Sequence, residues 1–406
     1  MEMFNLRKAS AMASALVVGI VLSGRAEAQS KYGLGVTDKE IRLGTTMPFS
    51  GPVSSSSLVG KAMEAYYHKV NDEGGINGRK IRLIAYDDAY NPAKTVEQVR
   101  RLVESDEVLA LVSPMGTAMN MAIRRYLNSK KVPQLFVVSG SPKLNDPKRF
   151  PWTTGWVPSN SSEGRIYGEY VVKNKPDGRI AVLFQNDDFG RDFFSGFKVA
   201  LGDIASQIVA TESYEVSDPT VDSRVVSLAA SGADVFLNIS QPKFAAQAIR
   251  RAAQVGWKPL QFLISPSSSL ATVIEPAGLA NAQGIISSDY TKSVSDPTMR
   301  DDPGMKKFEA YVAKYLPGAN KNDRFVMNGY CFAQTMVEVL KRAGSDLTRE
   351  NVMKQATTLH DLQLDCLLPG IVINTSPTNF VAVSQFQLMR LEGDRWVRFG
   401  EVIGRM

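Results

Sequence analysis

The strongest constraint on the fold is a repeated exchange of short β-rich runs for helical ones along almost the whole chain. Ile41 to Met47 reads as a strand, and Met63, Tyr66, Tyr67 and Val70 then follow helical spacing. Gly74 to Gly78 is a turn, and Lys80 to Tyr86 is a second strand. Asn91-Pro92 is a helix-start pair, followed by Val96, Val99 and Val103 on one helical face. Val108 to Val112 and Gln134 to Val138 are strands around a helix from Thr117 to Asn128. The order restarts after Trp156 to Asn160. Strands are expected at Arg179 to Phe184, Ile208 to Tyr214, Asp234 to Ile239, Gln261 to Ile264 and Gly284 to Ser288. Helices are expected at Phe189 to Leu201 and Phe244 to Val255. Then come helices at Met305 to Tyr315, Phe325 to Arg342 and Arg349 to Thr357, and a strand-like tail from Ile371 to Val402. Repeated βα units imply parallel sheets covered on both faces. The expected fold is α/β, with two doubly wound lobes and ligands at the carboxyl ends of the strands.

Length supports two lobes. The chain has 406 residues, and its first 28 read as a cleavable secretory leader. Arg7 and Lys8 are the positive start, Ala9 to Leu22 the apolar stretch, and Ala26-Glu27-Ala28 a peptidase site. The stretch is shorter than the ~20 residues a spanning helix needs. A lipid-anchored leader would carry Cys where Arg25 stands, so neither a membrane span nor a membrane anchor is expected. Removing the leader lowers the formal net charge from +6 to +5, a mild value with no long basic run. Nucleic-acid binding is therefore not expected.

Most motif searches end in turns and caps. Gly33-Leu-Gly35 lacks the third glycine of a dinucleotide fingerprint and precedes the first strand. Gly60-Lys61 is followed by Ala62 where a phosphate loop needs Ser or Thr. The two histidines, His68 and His360, are too few for a histidine-rich metal site. Asp87-Asp88 sits between a strand end and the Asn91-Pro92 helix start, where turn and cap hydrogen bonding explains it. No enzyme constellation emerges, and no cofactor is expected. Cys331 and Cys366 either pair in an oxidising compartment or stay as two buried thiols, and sequence alone leaves both open. What stands out is three hydroxyl- and glycine-rich turns after successive strands: Ser50 to Ser57, Ser113 to Thr117, and Ser139-Gly-Ser141. The last two offer hydroxyls and amides at a helix start, suitable for a carboxylate.

The stretch from Ile41 to Val103, with Ser50-Gly51-Pro52, Asn71, Gly74-Gly75-Ile76-Asn77-Gly78, Asp87-Asp88 and Pro92 in that order, resembles the amino-acid-type periplasmic solute-binding proteins of ABC importers. The leucine/isoleucine/valine-binding proteins are among them. The resemblance continues through Asn186 to Gly190 and Gly329-Tyr330 and covers nearly the whole mature chain. It implies a type I periplasmic binding fold with three hinge crossovers near Val157, Ser288 and Thr378. Lobe 1 would be 29–157 plus 289–378, and lobe 2 158–288 plus 379–406.

The resemblance further implies a ligand carboxylate held by Met115, Gly116, Thr117, Ser139, Gly140 and Ser141. Ser55 and Ser56 would flank the side chain and Phe189 would close over the ligand. Gln241, Ser267 and Met327 would lie on further cleft contacts. Amino-acid binders of this kind place an acidic residue after the strand that here ends near Ile264. This chain has Ser265-Pro-Ser-Ser-Ser269 there, with no Asp or Glu expected in reach. An unpaired buried ammonium is costly. The expected ligand is therefore an aromatic or aliphatic acid without an α-amino group, or else a branched-chain amino acid. The implied partners are ABC permease subunits, with the protein a monomer in a Gram-negative periplasm. The alternative is a sensory protein presenting its ligand to a chemoreceptor or histidine kinase.

Overall fold

A computed structural model describes residues 32–404. The leader and its cleavage site lie outside the described residues. The first sheet contains β1 (Glu40–Met47), β2 (Lys80–Asp87), β3 (Ala110–Val112), β4 (Gln134–Val137) and β5 (Thr153–Gly155) in the order β2-β1-β3-β4-β5. All its pairings are parallel. Between these strands run α1 (Leu58–Asp72), α2 (Pro92–Glu104) and α3 (Thr117–Ser129). Helix α2 starts where expected because the Asn91 side chain accepts from the Ala93 and Lys94 amides, with Pro92 in the first turn.

Both faces of this sheet are covered. Leu111 of β3 packs with Val99, Leu102, Ile123 and Leu127 of α2 and α3. Its neighbours Ala110 and Val112 join the opposite core, with Val59, Met63 and Tyr66 of α1. A strand with successive side chains in two different cores reads as the continuous apolar run seen in the sequence.

The second sheet contains β6 (Ile180–Gln185), β7 (Ile208–Tyr214), β8 (Val235–Ile239), β9 (Leu260–Leu263), β10 (Ile286–Asp289), β11 (Phe386–Glu392) and β12 (Arg395–Ile403). Its order is β12-β11-β10-β9-β8-β6-β7. The strands from β6 to β10 are parallel. Strands β11 and β12 are antiparallel, so the strand-like tail is an antiparallel edge added to a parallel sheet. The helices here are α4 (Asn160–Asn174), α5 (Asp188–Leu201), α6 (Asp222–Ala230), α7 (Pro242–Gln254) and the single turn α8 (Glu275–Ala277). Ala181 and Leu183 of β6 face α6 and α7, while Ile180 and Val182 face the main core.

Four elements were not anticipated: β5, α6, the single turn α8, and α4. The last has a clear reason. Its sequence NSSEGRIYGEYVVKN spends two buried positions on glycine, which blurs the apolar period. A Cβ on Gly164 would meet Phe193 O at 2.0 Å, and one on Gly168 would meet Phe197 O at 2.7 Å. The glycines are there so that α4 and α5 can touch backbone to backbone.

The chain leaves the first sheet after β5 and leaves the second after β10. It then forms α9 (Pro303–Tyr315), α10 (Arg324–Ala343) and α11 (Arg349–Ala356) before returning to β11. These late helices cover the first sheet. The Tyr311 hydroxyl donates to Ala62 O at 2.6 Å, and the Tyr66 and Tyr330 rings meet edge to face at 5.0 Å. Residues 380–383 still bond to the end of β5, with Ala382 N donating to Gly155 O and Val383 N to Trp156 O. From there the chain passes to β11 of the second sheet. Trp156, at the first crossing, is fully buried, and its indole N–H donates to Thr335 Oγ1 at 2.7 Å. Cys331 of α10 and Cys366 form a disulfide with Cα atoms 5.8 Å apart. Among the described residues no helix is long and apolar enough to cross a membrane.

Candidate functional site

A cavity with about 710 Å³ of atom-free space, part of it open to solvent, lies where the carboxyl ends of the two parallel sheets face each other. The turns after β1 to β4 supply one wall. The turns after β8, β9 and β10, with the first turns of α4 and α5, supply the other. The start of α10 completes it.

The first wall is built around α3. Its N-cap is Gly116 at φ 97°, ψ 144°, a conformation open to glycine, and no side chain caps the helix. A Cβ there would also lie 2.8 Å from the Tyr90 ring. The first-turn amides are thus left for a ligand at the positive end of the helix. Beside them the Thr117 and Ser139 hydroxyls are 2.8 Å apart and both buried. Gly140 accepts the Asn160 amide at 2.8 Å, and a Cβ on it would meet Pro158 O at 2.2 Å. This docks the start of α4 against the turn after β4. Asn160, at the start of α4, is buried beside that turn, and its Nδ2 has no acceptor among the described residues.

Tyr90 crowns the wall from the turn after β2, where Ala89 and Tyr90 both adopt positive φ. Asp88 holds that turn, accepting from Tyr90 N at 3.0 Å and Thr95 Oγ1 at 2.9 Å. Asp87 accepts from Ser50 N and Ala89 N. The two aspartates therefore do the turn and cap work expected of them. Across the cavity, Gln241 Nε2 donates to the Tyr90 hydroxyl at 3.2 Å. Lower down the rim, Lys143 Nζ and Asp188 Oδ1 form an exposed ion pair at 2.7 Å.

The far wall brings the main correction. No acid was expected within reach of residues 265–269, yet Glu163 of α4 is there. Its Oε1 accepts from Ser265 N and the Tyr167 hydroxyl, and its Oε2 accepts from Ser265 Oγ at 2.7 Å. Burial pushes this carboxyl above its usual range, against the opposing pull of those donors and of Arg324. Glu163 is 102 residues from Ser265 in sequence, so no local reading of the serine run could find it. A signal did exist in Ser159-Asn-Ser-Ser-Glu163, a spacing that suits a helix start with the acid in its first turn.

Of the residues singled out in the sequence, Ser56, Met115, Gly116, Thr117, Ser139, Gly140, Phe189 and Gln241 line the cavity. Ser55, Ser141, Ser267 and Met327 do not. Ser55 sits half-buried in a 3-10 turn (Ser54–Ser57), and Ser141 faces a small adjoining pocket. The Ser267 hydroxyl donates to Ser240 O, tying the turn after β9 to the turn after β8. Met327 faces a second pocket behind α10. Its neighbour Asn328 and the i−4 residue Arg324 line the cavity, Arg324 bordering the second pocket as well. Tyr90, Asn160, Glu163, Tyr290, Arg324 and Asn328 are wall residues the sequence reading missed.

Arg324 is held by Asp289, with Nη1 to Oδ2 at 2.5 Å. Burial disfavours the charged guanidinium, but Asp289 and the neighbouring Tyr290 and Glu163 outweigh it and raise its pKa. Next to it Asp323 caps α10 through the Phe325 amide at 2.9 Å. Burial pushes the Asp323 carboxyl up to about 6, from 3.8 in an unperturbed state. The native state therefore holds this proton to higher pH than the unfolded chain does. Its contribution to stability is full below about pH 4 and is lost as pH rises through about 6, a change of about 3 kcal/mol. Asp323→Asn keeps a capping side chain and should flatten that slope in urea titrations run from pH 4 to 7.

Among the described residues no group of three or more His, Cys, Asp or Glu side chains is placed to hold a metal ion. Comparison with known proteins gives a consistent picture. A family model described as periplasmic binding protein matches residues 40–395. The Leu/Ile/Val-binding protein homolog 3 of Brucella melitensis is 23% identical over 359 residues, 88% of this chain and 89% of that one. A branched chain amino acid ABC transporter protein from Thermus thermophilus, solved with bound valine, superposes with a TM-score of 0.83 at 18% identity, covering 91% of this chain and 98% of the other. A fatty acid ABC transporter substrate-binding protein from Thermomonospora curvata superposes at 0.77 with 23% identity, covering 93% and 95%.

Proposed function

The chain belongs to the periplasmic binding protein family, solute-binding proteins that deliver ligands to ABC permeases, and from that membership we propose that its cavity captures a small carboxylate in the periplasm for an inner-membrane permease. The observation that carries this reading is the carboxylate seat. It comprises the uncapped start of α3 at Gly116, the Thr117 and Ser139 hydroxyls, and the unpaired Asn160 Nδ2. Phe189, packed edge-on against Phe193 at 5.3 Å, covers the ligand from the second sheet. The two sheets with their helices act as lobes that close by hinge bending at the three chain crossings. The Gln241–Tyr90 hydrogen bond is a contact of the closed state. The mature protein, cleaved near Ala28, works as a monomer.

The ligand is an acid without an α-amino group. Glu163 is present, but three protein donors already take most of its acceptor capacity, and burial disfavours its charged form against the pull of those donors and Arg324. It is a poor seat for an ammonium group. Neighbours of this fold are named for valine and for a fatty acid, so the architecture accommodates both kinds of ligand.

Calorimetry with matched pairs tests the assignment: leucine against 4-methylpentanoate, and phenylalanine against 3-phenylpropanoate. The deaminated member of each pair should bind at least about tenfold more tightly, because an ammonium would be buried without a free partner. Glu163→Gln should change that preference by less than about threefold. Tight leucine binding that collapses in Glu163→Gln would make Glu163 an ammonium receptor and sink the assignment.

A further inference from the structure

The cavity has a second set of polar groups, on the first turns of α10, that the carboxylate seat does not use. Arg324 is 7% exposed and lines the wall. Its Nη1 donates to Asp289 Oδ2 and, at 3.1 Å, to Ser268 Oγ. Both partners line the pocket behind α10, which Arg324 also borders, and neither lines the cavity, so Nη1 is engaged on the side of that pocket. The opposite edge of a guanidinium is the Nε–Nη2 pair, two parallel N–H groups that a planar oxygen group meets two-handed. Neither atom has an acceptor among the described residues. The guanidinium lies over the Tyr290 ring, with Cζ 5.0 Å from the centroid. The Tyr290 hydroxyl also bonds the Arg324 side chain, so the ligand would share this guanidinium with Tyr290. One turn along α10, Asn328 is 6% exposed, lines the same cavity, and carries an Oδ1 without a donor among the described residues. Three unmet polar atoms on one cavity-facing helix stripe, each costly to bury, call for a polar occupant.

We propose that the ligand is two-ended: besides the carboxylate at the start of α3, it carries an oxygen acceptor at its far end that the Nε–Nη2 edge of Arg324 binds. This rests on the acid-capture reading and narrows its substrate class. Asp289 and Glu163 already oppose the charge of Arg324, so a carbonyl, hydroxyl or phenol oxygen and a second carboxylate differ in the charge they add, not in the contact they make. Asn328 Oδ1 accepts from the far group where that group is a hydroxyl.

The experiment is calorimetry on the mature protein with matched acids: benzoate, 4-hydroxybenzoate and terephthalate in one set, hexanoate, 6-hydroxyhexanoate and adipate in another. At least one far-oxygen member should bind about tenfold or more tighter than its parent, as expected for a site built to hydrogen bond that oxygen. A preference for the terminal hydroxyl marks a neutral acceptor, and one for the diacid marks a second carboxylate. Arg324→Lys keeps a cation opposite Asp289 but has no fork, so the preference should fall at least about fivefold. Parents that bind as tightly as every oxygenated member would overturn the inference, as would a preference that survives in Arg324→Lys. Should that variant fail to fold, the wild-type series decides alone. If no acid in either set binds, acid capture itself fails; if acids bind without preference, only the two-ended ligand does.

Discussion

Gly196→Val should cost about 4 kcal/mol or more of stability and abolish ligand binding at ordinary concentrations. A Cβ at this position would lie 1.9 Å from Ser161 O, and the atoms around it are backbone, not side-chain ends that could swing aside. Gly164 faces Phe193 O across the same contact at 2.0 Å. Relief requires α4 and α5 to move apart. Helix α4 carries Asn160 and Glu163 into the cavity, and α5 carries Phe189 and Phe193. Separation therefore removes packing and misplaces the wall together. Urea denaturation followed by a binding assay reads both. A variant with wild-type stability would mean that the helix contact is looser than these distances require.

Losing the Cys331–Cys366 disulfide should cost about 3–4 kcal/mol, the loop-closure value for two cysteines 35 residues apart. For a chain of this size that is a melting-point drop of about 5 °C. The bond restrains the unfolded chain far more than it shapes the cavity, so ligand affinity should change little in comparison. The clean comparison is the Cys331→Ala, Cys366→Ala double variant against the oxidised protein, with the reduced wild type as a third sample. Equal urea midpoints for all three would show that the unfolded chain is already compact in this region.

The order of strands and helices was largely legible because each βα unit announces itself locally. Asn91-Pro92 starts α2, and the apolar run at β3 fills two cores at once. The near wall was legible for the same reason: Met115 to Thr117, Ser139 and Gly140 lie in turns at strand ends, which the fold class alone directs toward ligand. The far wall was legible only at Phe189 and Gln241. Glu163 reaches Ser265 only because α4 follows the first chain crossing, and α4 was hidden by the glycines that let it approach α5. Arg324 and Asn328 share a helix face with buried apolar residues, and periodicity cannot say which buried side chain borders a void. Met327 illustrates the limit. One residue along an α-helix is about 100° of rotation, enough to exchange the cavity for the pocket behind it.

The crossings also dictate a timetable. Residues 40–155 contain every strand of the first sheet, yet Tyr66 and Ala62 of α1 find their partners only in Tyr311 and Tyr330. As the chain is synthesised, Ala62 must wait for Tyr311, 249 residues later, before this face is sealed. Contacts that distant close slowly and leave sticky surface uncovered meanwhile. For a chain exported as proposed above, that delay is an asset, since the part emerging first keeps one face of its sheet unsealed until the later helices arrive.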